Sequence, residues 1–76
     1  MKESDLRVVV ASDVSSRDGI GVELYLGKEL LMEVFRDDGK KAREVTLYRK
    51  VLPLEIVEYG ISLFNSRIPK DFIEYE

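Results

Sequence analysis

Two rhythms of apolar residues run along this chain. From Leu6 to Tyr48 they recur mostly at every second position, and from Leu54 to Ile68 at steps of three and four. The first is the period of strands with one face buried, the second that of an amphipathic helix. Leu6 to Ser12 (LRVVVAS) is rich in β-branched residues and predicts a first strand, with Leu6, Val8 and Val10 on one side and Arg7, Val9 and Ala11 on the other. Ile20 to Leu26 alternates Ile20, Val22, Leu24 and Leu26 with Gly21, Glu23 and Tyr25, a second strand. ELLMEVFR (Glu29 to Arg36) and KKAREVTLY (Lys40 to Tyr48) supply a third and a fourth. Between the first two strands, DVSSRDG reads as an ordinary hairpin loop. Its cluster of Asp13, Ser15, Ser16, Arg17 and Asp18 has the spacing of neither a calcium loop nor a phosphate loop.

The turns set the register. Gly27-Lys28 fits a two-residue type II′ turn, with glycine where φ must be positive. That turn pairs Leu26 with Glu29, Tyr25 with Leu30, Leu24 with Leu31, Val22 with Glu33 and Ile20 with Phe35. Asp37-Asp38-Gly39 allows two readings. A type I′ turn at Asp38-Gly39 sets Ala42 beside Phe35 and Glu44 beside Glu33. A three-residue loop with Gly39 in a G1 bulge sets Arg43 beside Glu33 and Val45 beside Leu31. The bulged reading is preferred, because it keeps Val45 and Leu47 with Leu24, Leu31 and Phe35 and gives Glu33 a partner of opposite charge.

Pro53 announces a helix, being favoured at the first helical position, where its missing N–H is no loss. Leu54, Val57, Ile61, Phe64 and Ile68 form its stripe, widened by Ile56, Gly60 and Leu63. Gly60 in mid-helix costs about 1 kcal/mol relative to alanine, which points to a close approach of helix and sheet. Pro69 ends the helix. The expected fold is α+β: a four-stranded antiparallel β-meander with one C-terminal helix packed across one face, ββββα, in a single domain of residues 1–76. Residues 1–5 are expected to fray, 6–50 to form the sheet, 53–67 the helix and 69–76 a tail. The tail carries Phe72, Ile73 and Tyr75, too apolar to be simply solvated. It packs under the helix end, pairs along a sheet edge, covers the bare sheet face or engages a partner.

In this register the helix covers Ile20, Val22, Leu24, Leu31, Phe35, Val45 and Leu47, joined by Leu6, Val8 and Val10. The opposite face then holds Tyr25, Leu30, Met32, Val34, Ala42 and Tyr48, with Glu23, Glu44 and Thr46 interspersed. Four strands span roughly 15–20 Å and a helix about 10–12 Å, so one helix cannot fully cover even one face. An exposed sheet face is normally mostly polar. This one would expose roughly several hundred Å² of apolar surface, the scale of an interaction site. Tyr25, Leu30, Met32, Val34 and Tyr48 are therefore the candidate protein-binding residues, and Met32→Glu is expected to leave the fold intact while weakening association.

Composition narrows the chemistry. The chain has 76 residues, 45% of them apolar, with no cysteine and no histidine. That removes disulfides, thiolate metal sites, the commonest zinc ligands and the commonest general base. No metal, cofactor or catalytic residue is assigned. The pairs Glu29/Glu33 and Asp37/Asp38 could in principle do acid–base chemistry. Sheet pairing and turn formation explain them more simply, and so small a domain leaves little room for a pocket of about 300 Å³. MKESDLR has no apolar signal segment, which favours a cytoplasmic protein with no membrane contact.

The net charge of −3 argues against general nucleic-acid binding. The charge is uneven, however. Residues 36–50 carry six basic and three acidic side chains, residues 1–35 four and seven, and residues 51–76 two and five. Lys41, Arg43, Arg49 and Lys50 thus form a basic strip. It guards a sheet edge, or meets an acidic partner or a single-stranded nucleic acid. The reading that follows is a small soluble protein–protein interaction module acting through the bare sheet face. It works as a homodimer or as a binder of inhibitor, immunity or regulatory type, with single-stranded nucleic-acid binding as the alternative.

Overall fold

The computed structural model describes residues 2–15 and 17–74. Four strands follow one another in space as in sequence: β1 (Leu6–Asp13), β2 (Gly19–Leu26), β3 (Glu29–Asp37) and β4 (Ala42–Leu47). All neighbours are antiparallel. One helix, α1 (Leu54–Arg67), lies over β2 and β3. The expected ββββα meander is therefore the fold. Glu3–Asp5, expected to fray, makes a single exposed 3₁₀ turn. Pro53 sits one residue earlier than expected, as the N-cap, and its carbonyl accepts the Ile56 and Val57 N–H groups.

Register is where structure and expectation part. Gly27 takes the left-handed φ of 61° and Lys28 does not, the type II′ pattern. Leu26–Glu29 and Tyr25–Leu30 pair as expected. Then β3 gains a residue. Leu24 pairs with Met32 instead of Leu31, Val22 with Val34 and Ile20 with Arg36, so Leu31 is the extra residue of a β-bulge. Because side chains alternate, this one-residue slip turns the rest of β3 over. Met32 and Val34 go under the helix, while Glu33 and Phe35 go to the other face. The physical gain is clear at Glu33, which would otherwise stand among Val22, Leu24 and the helix at a heavy desolvation cost.

The second hairpin differs too. Val34 pairs with Val45 and Met32 with Leu47, so residues 38–41 form a four-residue loop and Gly39 is in no G1 bulge. The left-handed residue is Lys41, at φ 56°. The bulge at Leu31 and the longer loop shift β4 in compensating ways, so Val45 and Leu47 reach the helix side as expected. Val8 opposite Leu24 and Val10 opposite Val22 place β1 in its expected phase.

The core is Val22, Leu24, Met32 and Val34 from the sheet against Ile56, Phe64 and Ile68, flanked by Leu6, Val8, Leu52 and Leu63. The buried helix face, Ile56–Gly60–Phe64, is rotated from the expected stripe, and Leu54 and Ile61 stay exposed. Gly60 is the contact point. A Cβ there would lie 2.7 Å from Met32 Cε and 3.2 Å from Leu24 Cδ1.

The helix end and tail are tied down by a buried ion pair. Arg36, 3% exposed, donates from Nε and Nη2 to the Asp38 carboxylate at 2.9 and 3.2 Å, and from Nη1 to the Pro69 carbonyl at 2.8 Å. Asp38 Oδ1 also accepts the Ile73 N–H at 3.1 Å. The tail as far as Glu74 thus lies against the β3–β4 loop and not across the bare sheet face; Tyr75 lies outside the described residues.

Met32 is 0% exposed, which reverses the expectation for its substitution. An unpaired carboxylate there costs several kcal/mol, on the scale of a small domain's whole stability of about 5 kcal/mol. Met32→Glu is expected to abolish the cooperative melt in circular dichroism, whereas Leu30→Glu, half-buried on the other face, melts within a few degrees of wild type. A wild-type melt for Met32→Glu would put Met32 back on an open face.

Candidate interaction surface

The bare sheet face is covered at one end by its own side chains. β2 presents Gly19 and Gly21 there, and the Phe35 ring lies over both: a Cβ on Gly21 would meet the ring at 2.8 Å and the Val34 carbonyl at 2.5 Å. The Arg17 guanidinium then stacks on the ring, 3.7 Å from its centre. Arg17 also grips Glu33 with two hydrogen bonds, 2.8 and 3.1 Å, and reaches Asp13 at 3.4 Å. The hydrogen bonds to Glu33 raise the Arg17 pKa further. Phe35 is left 2% exposed and Glu33 6%. The Asp13–Asp18 loop therefore serves the fold, since Asp13 accepts the Ser15 N–H and hydroxyl and sets Arg17 over the sheet. Ser16 lies outside the described residues.

Three of the five candidate binding residues do meet, at the other end of this face. Tyr25 and Leu30 are cross-strand partners and half-buried. Tyr48, about half exposed, is bonded through its N–H to the carbonyl of Leu31, the residue after Leu30. Arg7 stacks on the Tyr25 ring at 4.4 Å, and the Tyr25 hydroxyl donates to Glu23 at 3.3 Å. Partial desolvation, then the Glu23 carboxylate, raise the Tyr25 pKa. Met32 and Val34 are not part of this group, because the bulge buries them. The extended apolar patch expected on the bare face does not form.

The exposed apolar surface lies instead beside β4. Every residue from Arg43 to Tyr48 is exposed, and β4 is an edge of the sheet. On its helix side Val45 and Leu47 are 46% and 49% exposed. The helix stops short of them, leaving an open groove of about 550 Å³ floored by Val34, Val45, Ile61 and Phe64 and closed at one end by Phe72. Leu54, two turns before Ile61, continues that helix flank. The sequence carried one signal for this groove: a helix narrower than four strands must leave an edge strand uncovered on its own side as well.

The basic strip is split up. Lys41 and Arg43 line the groove, with Lys41 bonded to Glu74 at 3.1 Å. Arg49 is held by Glu29 through two hydrogen bonds, 2.7 and 2.6 Å. Lys50 follows in the β4–α1 connection, beyond the strand.

The four carboxylates considered for acid–base chemistry are each engaged: Glu29 by Arg49, Glu33 by Arg17, Asp38 by Arg36, and Asp37 by the Lys40 N–H at 3.0 Å. Contrary to the expectation from size, the molecule has depressions as large as a ligand pocket. The second, about 380 Å³, lies between Asp18, Asp38, Lys41 and Glu74 and is also open to solvent. Among the described residues no group of acidic side chains is arranged to hold a metal, and no helix is long and apolar enough to cross a membrane. No family model, curated protein or solved structure matches the chain.

Arg17→Ala leaves the buried Glu33 carboxylate without its partner and uncovers Phe35. Allowing for a guanidinium one-third exposed, a loss of about 1–2 kcal/mol in urea unfolding is expected. An unchanged midpoint would mean that water serves Glu33 equally well. The Arg49 hydrogen bonds hold the Glu29 carboxyl below the ordinary carboxylate range. This lowered folded-state pKa gives a stabilisation present above the unfolded value and lost as pH falls through the folded one. In Arg49→Gln, the Glu29 titration followed by carboxyl-carbon NMR is expected to move up towards the ordinary value. An unmoved midpoint would discard the pairing in solution.

Proposed function

We propose that this protein is a small protein-interaction module whose contact surface is centred on β4. The observation that carries the reading is that every residue from Arg43 to the end of β4 is exposed, with Val45, Leu47 and the following Tyr48 each about half exposed, whereas β1, the other edge, mixes exposed with half-buried positions. On one side lies the apolar groove against α1. Towards the other lie Tyr25, Leu30 and Tyr48, with Arg7. Aromatic residues and arginine are enriched at protein interfaces, and a free strand edge offers backbone hydrogen bonds to an incoming chain. The partner is another protein or a second copy.

Single-stranded nucleic acid is the less favoured ligand. A stacking platform needs aromatics in a positive groove, and here Arg49 and Lys41 are neutralised by Glu29 and Glu74.

A photo-crosslinking residue in place of Leu47 tests the reading. It is expected to give a discrete adduct, with itself or with one protein of a native lysate, that the same residue in place of Glu58 on the exposed side of α1 does not. Identical adduct patterns at both positions, or none at position 47, would discard the β4 surface.

A further inference from the structure

The groove between α1 and β4 combines an apolar floor with a charged rim of Lys41, Arg43 and Glu44, in which Lys41 is held by Glu74 and Glu44 by Lys40, while Arg43 meets no carboxylate among the described residues. Arg43 stands directly opposite Arg36 in the sheet register, and like charges so placed repel. Arg36 is satisfied by Asp38 and the Pro69 carbonyl. Among the described residues no carboxylate or other hydrogen-bond acceptor meets the Arg43 side chain. Arg43 is therefore no asset to the isolated fold. It lines the groove, beside Val45 and Ile61.

The chain itself shows what suits this rim. The tail segment Asp71–Glu74 lays Phe72 into the end of the groove and Glu74 on Lys41. An apolar side chain against the floor and a carboxylate on the neighbouring cation is the pattern, and beyond Phe72 the floor at Val45 and Ile61 is open.

Resting on the β4 reading above, we infer that the groove docks an acidic, apolar peptide segment of a partner protein. Its aromatic or aliphatic side chains seat on Val45, Ile61 and Phe64, and its carboxylate pairs with Arg43. Charge complementarity sets the preference: the partner supplies the carboxylate that Arg43 lacks among the described residues, in a charge-assisted hydrogen bond at the exposed rim beside the apolar floor.

The probe is a synthetic peptide of three copies of the Asp71–Glu74 segment, compared with an analogue bearing lysine at every acidic position. Both are titrated into the full ¹⁵N-labelled chain. The acidic peptide is expected to shift the amide signals of Val45, Leu47 and Ile61, and to bind at least about tenfold tighter than the lysine analogue, or about 1.4 kcal/mol. Raising the salt concentration is expected to narrow that gap. Arg43→Gln is expected to melt at or above the wild-type temperature, because the Arg36–Arg43 repulsion is gone, yet to lose about tenfold in affinity for the acidic peptide. That separation would not arise from a merely structural residue.

Equal binding of the two peptides at the same signals would overturn the acidic preference while leaving β4 as a contact surface. No shift at those signals with either peptide would overturn the proposal, and the crosslink at position 47 then judges the β4 reading by itself. Shifts there that grow with protein concentration and without peptide would give the groove to a second copy, and overturn it likewise. Wild-type affinity in Arg43→Gln would remove Arg43 from the site.

Discussion

The bulge at Leu31 is the constraint on which the rest of this structure depends. One unpaired residue in β3 decides which half of that strand meets the helix. Past it, Met32 and Val34 complete the core with Val22, Leu24, Ile56 and Phe64. Glu33 and Phe35 go to the far side, where the Asp13–Asp18 loop can meet them. Gly60 belongs to the same fit, since the helix can approach only where the Met32 thioether takes up the space a side chain would have filled.

A sheet with one helix must deal with two faces, and this one deals with them by different means. The helix covers the first with aliphatic packing. On the second, Phe35 lies flat over Gly19 and Gly21, and Arg17 covers the ring while neutralising Glu33. The guanidinium suits this position because it presents a flat, weakly hydrated surface to the ring and a donor fork to the carboxylate. The buried Arg36–Asp38 pair works at the end of the molecule, joining β3, the β3–β4 loop and the tail through Pro69 and Ile73. Buried pairs of this kind add little net stability against an apolar replacement. What this one supplies is position: it seats the tail, and with it Phe72 at the mouth of the groove.

These devices bury most of β2 and β3 and leave β4 the most exposed strand. At β4 an apolar groove, a free strand edge and Arg43, which meets no carboxylate among the described residues, adjoin one another.

The sequence by itself determined the four strands, the helix, their order and the single-layer sheet, because alternation, turn residues and Pro53 act locally. It also determined the faces of β1, β2 and β4, and brought Tyr25, Leu30 and Tyr48 together. It did not determine the phase of β3. Both faces of ELLMEVFR are apolar enough to be core, so periodicity could not choose between Met32–Val34 and Leu31–Phe35. The choice came from partners distant in sequence: Gly19 and Gly21 making room for Phe35, Arg17 waiting for Glu33, and Gly60 making room for Met32. Two glycines on one face of a strand were the local trace of this, and only the packing gave them meaning. The groove was equally a tertiary matter, since it exists where a helix of one width meets a sheet of another, with the helix rotated to leave Ile61 beside Val45.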